Sequence, residues 1–258
     1  MALSDYQRIE YIETDGNAYI NLGNTARPSR NWSIYSIMSF SSYASVYYMW
    51  GVKSGTTAYY DFGYNNTSDA YIWRNANNTA RTLAVGTPYN VNQKVYVQQI
   101  RSDDTSAPTT LMMEDWPDGN YTYSSSRTYP SAATSSYNLF LFARNSDGSV
   151  VSKAPAGCRM YTFSVENYFT TPEHLFELIP IRERDGSQRV GLYDVISDTP
   201  FWAAVSNFIA GPDIVESSQL WIKENGTWTS GTPYIKVGGS WDSGIPYIKE
   251  SGSWNQGQ

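Results

Sequence analysis

The sequence predicts an all-β protein: a large sandwich or barrel of short strands, followed by a small module of β-hairpin repeats. Three observations point there. Tyr and Trp are abundant, 22 and 9 in 258 residues, while charged residues make up only 16%. Aromatic rings suit a pleated, half-buried surface, and a disordered chain is poor in them. From Tyr6 to about Asp213, short aromatic and β-branched runs alternate with Gly, Asn, Ser and Asp clusters, the mark of many strands joined by turns. Beyond that point one aromatic phrase returns three times at a spacing of 13, as in repeat arrays.

In chain order the strands read as AYINLG (18–23), WSIYSIMSF (32–40), SVYYMWGV (45–52), AYYDFGY (58–64) and AYIWRN (70–75). KVYVQQI (94–100), TTLMMED (109–115), YNLFLFARN (137–145) and RMYTFSVEN (159–167) follow. In the last of these, Tyr161, Phe163 and Val165 face one way and Met160, Thr162 and Ser164 the other, the period of two of a strand with one buried face. LFLF (139–142) is apolar on both faces and suits a central strand. TTPEHLFEL (170–178) places a Thr and a Pro as at the start of a short helix. A run of about 200 residues in this pattern suits one large sandwich better than two small ones.

The domain reading is a sandwich over 1–213, a linker over 214–220 and three hairpin repeats over 221–258. Trp221, Tyr234 and Tyr247 open the repeats, Lys223, Lys236 and Lys249 follow, and Trp228, Trp241 and Trp254 come after the turn. Asn225-Gly226 between apolar strands is a strong hairpin signal. A single hairpin is marginal alone, so the repeats are expected to stack.

Net charge is −6 and the 18 basic residues are scattered, unlike the basic stripe of a nucleic-acid binder. Cys158 is the single cysteine, which excludes an internal disulfide or a zinc cluster. A free cysteine of this kind is expected to be buried. MALSDYQRIEYIE lacks the basic-then-apolar order of a secretory signal. No run approaches the ~18 apolar residues of a membrane-spanning helix. The expectation is synthesis in the cytoplasm without membrane insertion.

YQRIEYIETDGNAYINLG (6–23) resembles the opening of the concanavalin A-like (laminin G-like) jelly-roll domains of phage and gut-bacterial proteins. It departs from the usual phrase at Asp15, Asn17-Ala18 and Asn21-Leu22. YNLFLFARNSDGS (137–149) resembles a later strand and loop of that family, and FELIPIRERDGSQRVGLYDVISDTPFWAAVSNFIAGPD (176–213) its closing hairpin, with Phe201-Trp202 where Phe-Tyr is usual. The resemblance implies a two-sheet jelly-roll sandwich. The tandem repeats resemble the short hairpin repeats at the ends of phage tail and other virion proteins. Together the two imply a virion protein, made in the host cytoplasm and displayed on the virion surface.

The same fold hosts glycoside hydrolases, whose family signature, Glu-x-Asp-x-x-Glu or a near variant, is absent here. In EDWPD (114–118), Glu114 and Asp115 are adjacent and so point to opposite faces of a strand. RSDDTS (101–106) reads as solvated acids by a turn, and His174 as a surface residue outside any nucleophile motif. The expectation is a protein without catalytic residues that requires no cofactor. Calcium is the one candidate ion, with oxygen donors in YNNTSDAY (64–71) and RNSDGS (144–149); the competing reading is turn chemistry alone.

Sugar sites set an aromatic platform among amides and carboxylates. Two clusters have that composition: Trp73 with Tyr71, Arg74, Asn75 and Asn77, and Trp116 with Asp115, Asp118 and Asn120. The alternative for each ring is core packing. Trp221, Trp228, Tyr234, Trp241, Tyr247 and Trp254 are the candidate assembly or attachment residues. The functional expectation is a non-enzymatic phage structural protein, on a tail fibre, head fibre, tail or capsid surface, that adheres to host glycans. Its partners would be other virion proteins and further copies of itself, a trimer among the options. The alternatives are a purely structural capsid decoration or scaffold, and a bacterial surface lectin.

Overall fold

A computed structural model describes residues 2–23, 32–55, 58–75, 81–83, 89–100, 108–117, 123–128, 135–167, 173–214, 220–224, 227–231, 234–237, 240–243, 247–250 and 253–256. The chain divides into two compact units, Met1–Asp213 and Ile214–Gln258. The first is a two-sheet jelly-roll sandwich, antiparallel except where Arg144–Ser146 runs parallel to Tyr47–Ser54. Among the described residues no helix is long and apolar enough to cross a membrane.

The larger sheet runs in the order Tyr123–Thr128, Pro108–Asp115, Val95–Ile100, Trp32–Ser39, Arg159–Asn167, Glu173–Glu183, Val190–Asp194 and Thr199–Trp202. Tyr6–Arg8 adds to the Glu173–Glu183 strand, and Ile12–Glu13 bridges Arg159–Asn167 to Ile209–Ala210. The smaller sheet runs Ser149–Val151, Arg144–Ser146, Tyr47–Ser54, Ala58–Asn65, Ala70–Asn75 and Arg81–Leu83. Phe140–Leu141 joins it between Ile20–Asn21 and Tyr47–Ser54.

The core lies between the sheets, and the smaller sheet fills its side mostly with rings. Tyr47, Trp50, Tyr60, Phe62, Tyr64, Tyr71 and Trp73 are all fully buried. Trp50 and Phe62 lie 4.7 Å apart, and Phe62 stacks on Tyr71 at 6.1 Å, within the range at which aromatic pairs attract. The larger sheet answers with Ile34, Met38, Val95, Val97, Leu111, Met113, Met160, Phe163 and Val165. Cys158 is buried as expected, and burial pushes its thiol up.

Two readings of the sequence are corrected. Residues 173–183 form a strand, not the start of a helix; Phe176 and Leu178 alternate inward and pair with Val165 and Phe163, so sheet pairing overrides the local helix-start signal. The alternation in RMYTFSVEN also breaks. The register shifts between Met160 and Thr162, a bulge that sends Met160 into the core while Tyr161 turns to Tyr11, 5.3 Å away, and to the Lys94 ammonium. LFLF is buried throughout, but Phe142 has a φ of 60°, and the strand expected over 137–145 divides into Phe140–Leu141 and Arg144–Ser146.

In the second unit Leu220–Glu224 pairs with Thr227–Gly231, Tyr234–Val237 with Ser240–Ser243, and Tyr247–Glu250 with Ser253–Gln256. The three hairpins are separate two-stranded sheets with one common register: Lys223, Lys236 and Lys249 stand opposite Trp228, Trp241 and Trp254.

Because Trp73 lies wholly inside, Trp73→Ala is expected to cost about 3–5 kcal/mol of stability, read from the urea unfolding midpoint. A loss under about 1 kcal/mol would place the ring outside the core.

Candidate functional site

The outer face of the larger sheet gathers an aromatic row. In Val95–Ile100, Val95, Val97 and Gln99 point inward, leaving Tyr96, Gln98 and Ile100 half-buried on the outside. Tyr96 lies opposite Ile37 on one side and Glu114 on the other, and Gln98 lies opposite Tyr35 and Met112. Trp116 follows the Pro108–Asp115 strand, held by its backbone N–H on the Lys94 carbonyl at 3.1 Å, and is 47% exposed. Its ring is 6.4 Å from Tyr96, which is 6.4 Å from Tyr35, with interplanar angles of 35° and 34°.

Polar groups edge this row. Gln98 and Glu166 lie near the Tyr35 hydroxyl, and Glu166 meets His174 Nδ1 at 3.3 Å. Gln93 donates to Asp115 beside Trp116. Burial first, then Tyr35 and Glu114, push the Tyr96 phenol up to about 12. Burial likewise raises Tyr35, so both are neutral hydroxyls at neutral pH. Flat apolar rings flanked by hydroxyls, an amide and carboxylates can stack on a sugar ring and bond its hydroxyls.

Two carboxylates that edge this row, Glu114 and Glu166, are widely separated. Glu114 shares a row with Tyr96, and Glu166 shares one with Ser33 and Ile100. The two rows are four residues apart along the strand, roughly 13 Å, and the two strands are three strand spacings apart, roughly 14 Å. Acid pairs of glycosidases stand about 5–9.5 Å apart.

Of the residues expected at a site, Trp116 and Asp115 lie here; Asp118 and Asn120 lie outside the described residues. The Trp73 cluster is corrected. Tyr71 and Trp73 are both 0% exposed, because alternation along Ala70–Asn75 points them at Phe62, Tyr64 and Phe40. Arg74 points the other way, to Asp61 at 2.6 Å. Asn75 ends the strand opposite Tyr60; its side chain and all of Asn77 lie outside the described residues. Trp221, Trp228, Tyr234, Trp241, Tyr247 and Trp254 are strand residues of the hairpins.

Several of the oxygens considered for calcium accept backbone N–H groups, two within their own turns and one from another turn. Asn65 Oδ1 accepts from Thr67 N, Asn145 Oδ1 from Gly148 N, and Asp147 Oδ1 from Gly55 N. Among the described residues, no group of three or more His, Cys, Asp or Glu is placed to hold a metal. Sequence reasoning missed Tyr35, Tyr96, Gln98 and Glu166. Their signal was the outward half of the alternation in KVYVQQI and WSIYSIMSF, which needs the strand register to become a site.

No protein-family model matches the sequence, and no curated protein matches it either. Solved structures do resemble it. A candidate carbohydrate-binding protein from Bacteroides ovatus aligns with a TM-score of 0.50 at 10% identity, over 81% of this chain and 62% of its own. The enzymatically active domain of bacteriophage CBA120 tailspike protein 2 aligns with a TM-score of 0.45 at 9% identity, over 61% of this chain and 25% of its own. The Ca2+-bound exoplasmic/lumenal domain of VIP36 aligns at 0.36 and 8%, over 64% of this chain and 83% of its own. This chain thus spans less than two thirds of the first two, and at these identities the likeness is one of fold.

An unfolded phenol loses its proton near 10.0, and folded Tyr96 near 12. Between those values the folded state holds more protons, so stability present in full below pH 10.0 falls as pH rises through about 12. Urea unfolding across that window should show the decline, smaller in Tyr96→Phe. Identical slopes in the two proteins would contradict the burial of this phenol.

Proposed function

We propose that the chain is a non-enzymatic phage virion protein, part of a fibre, tail or capsid surface, whose jelly-roll binds host-surface glycans along the Trp116–Tyr96–Tyr35 row. The observation that carries the sugar reading is Trp116, 47% exposed at the head of that row. An exposed ring packed in series with two others offers apolar area that the fold itself does not use. The virion part rests on the sequence resemblances at 6–23, 137–149 and 176–213 and on the repeats. The fold likeness to a protein named for carbohydrate binding is compatible with the sugar part.

The full-length protein should bind host-type cells and selected members of a glycan array, measured with and without calcium. Trp116→Ala and Tyr96→Ala should each weaken that binding at least about tenfold, as loss of an aromatic anchor does. Trp116→Ala should leave stability within about 0.5 kcal/mol of wild type. Undiminished binding in both variants would refute the row as the site.

A structural role in assembly is carried by a separate observation: three two-stranded sheets that share no strand with one another. Such hairpins are marginal alone and gain stability by packing on further copies of the chain or on other virion proteins. Their common register gives each the same face to offer. Removing 221–258 should lower the number of copies per particle in sedimentation while the sandwich stays folded; an unchanged copy number removes the repeats from assembly.

A further inference from the structure

The aromatic row is bordered by charge of one sign. Alternation along Pro108–Asp115 sends Leu111 and Met113 into the core and leaves Met112 and Glu114 half-buried on the outer face. Glu114 stands directly opposite Tyr96 and two residues before Trp116. Its carboxylate therefore lies on the face where the Trp116 and Tyr96 rings meet at 6.4 Å. Among the described residues no hydrogen bond or ion pair engages Glu114. At the other end of the row, Glu166 lies near the Tyr35 hydroxyl. It pairs with His174, a group that is a cation only when protonated.

Cations of the sandwich are spent elsewhere. On the same sheet, Lys94 pairs with Glu10 at 2.5 Å and lies over the Tyr161 ring. Arg159 pairs with Glu13 at 2.7 Å and lies over the Tyr11 ring. On the smaller sheet, Arg74 and Arg144 converge on the buried Asp61, and both donate to the Tyr48 hydroxyl. The field along the row is set by its carboxylates. Behind burial, Glu114 and Glu166 both push the Tyr96 phenol up, and behind burial Glu166 also raises Tyr35.

We propose that the Trp116–Tyr96–Tyr35 row selects a saccharide bearing a free amine, bound as its ammonium, with Glu114 as the specificity-determining residue. The inference rests on the row being the sugar site. The C–H face of the pyranose lies on Trp116 and Tyr96, and the ammonium donates to the Glu114 carboxylate beside them, a charge-assisted bond. The rings add to the selection, because a cation is drawn to an aromatic face. An N-acetylated sugar offers the same apolar face but no charge for Glu114. A saccharide with carboxylate or sulfate groups meets like charge from Glu114 and Glu166.

The test is calorimetric titration of the full chain at neutral pH with a glucosamine oligosaccharide, its N-acetylglucosamine counterpart of equal length, and spermine. Wild type is expected to bind the glucosamine form at least about tenfold more tightly than the N-acetylated one, the scale of one hydrogen bond to a charged group. That affinity should fall as salt rises. Glu114→Gln should remove the preference, and Trp116→Ala should weaken both sugars. Equal binding of the two sugars by wild type, a preference undiminished in Glu114→Gln, or spermine bound as tightly as the glucosamine form would each overturn the inference. If both sugars still weaken in Trp116→Ala, the row survives that failure. No glucosamine binding would also overturn the inference, and the row is then judged by the effect of Trp116→Ala on cell and array binding. Should Glu114→Gln unfold, the comparison of the two sugars on wild type decides.

Discussion

Gln99 pins the two sheets to each other. It points inward from the larger sheet and is fully buried, a position that a primary amide tolerates only when its hydrogen bonds are made. Both ends find partners on the opposite sheet: Trp50 Nε1 donates to its oxygen at 3.0 Å, and its nitrogen donates to the Arg74 carbonyl at 3.0 Å. The same contact satisfies the indole N–H of a large buried ring. A slip of one residue in the Val95–Ile100 strand would turn Gln99 outward and leave the Trp50 N–H without an acceptor. The aromatic packing of Trp50 on Phe62 and Phe163 surrounds this pin with close contact on both sheets.

With the sheets locked in that register, side-chain parity decides which groups can do chemistry. Inward parity takes Tyr71 and Trp73 into the core, and outward parity leaves Arg74 between them and the surface. The same rule along Val95–Ile100 gives Gln99 to the core and Tyr96 and Gln98 to the outer face. Bulges modify the rule locally. The one between Tyr48 and Trp50 divides two aromatic residues that strict alternation would place together, and so creates the outer cluster around Tyr48.

This also explains how much was legible in the sequence. Strands such as Ala70–Asn75 and Arg159–Asn167 match the aromatic and β-branched runs residue for residue, because composition and turn signals act locally. The site was only partly legible. Trp116 stood out through its acid and turn neighbours, yet Tyr96 joins it through the pairing of Val95–Ile100 with Pro108–Asp115, and Tyr35 through pairing with a strand more than 50 residues away in sequence. The Trp73 reading failed because a polar flank does not report which face a ring takes. Arg144 lay inside a recognised phrase, but its meeting with Asp61 depends on a parallel pairing of Arg144–Ser146 with Tyr47–Ser54, and no local pattern encodes it.

The two outer faces end with different chemistries from one construction. The larger sheet presents rings with hydroxyls and carboxylates, and the smaller presents a guanidinium with a shared counter-ion. Because the pinning residues point inward and the chemical residues outward, either face can change its side chains without moving the core. Stability is thereby carried by the inward set of alternate residues along these strands.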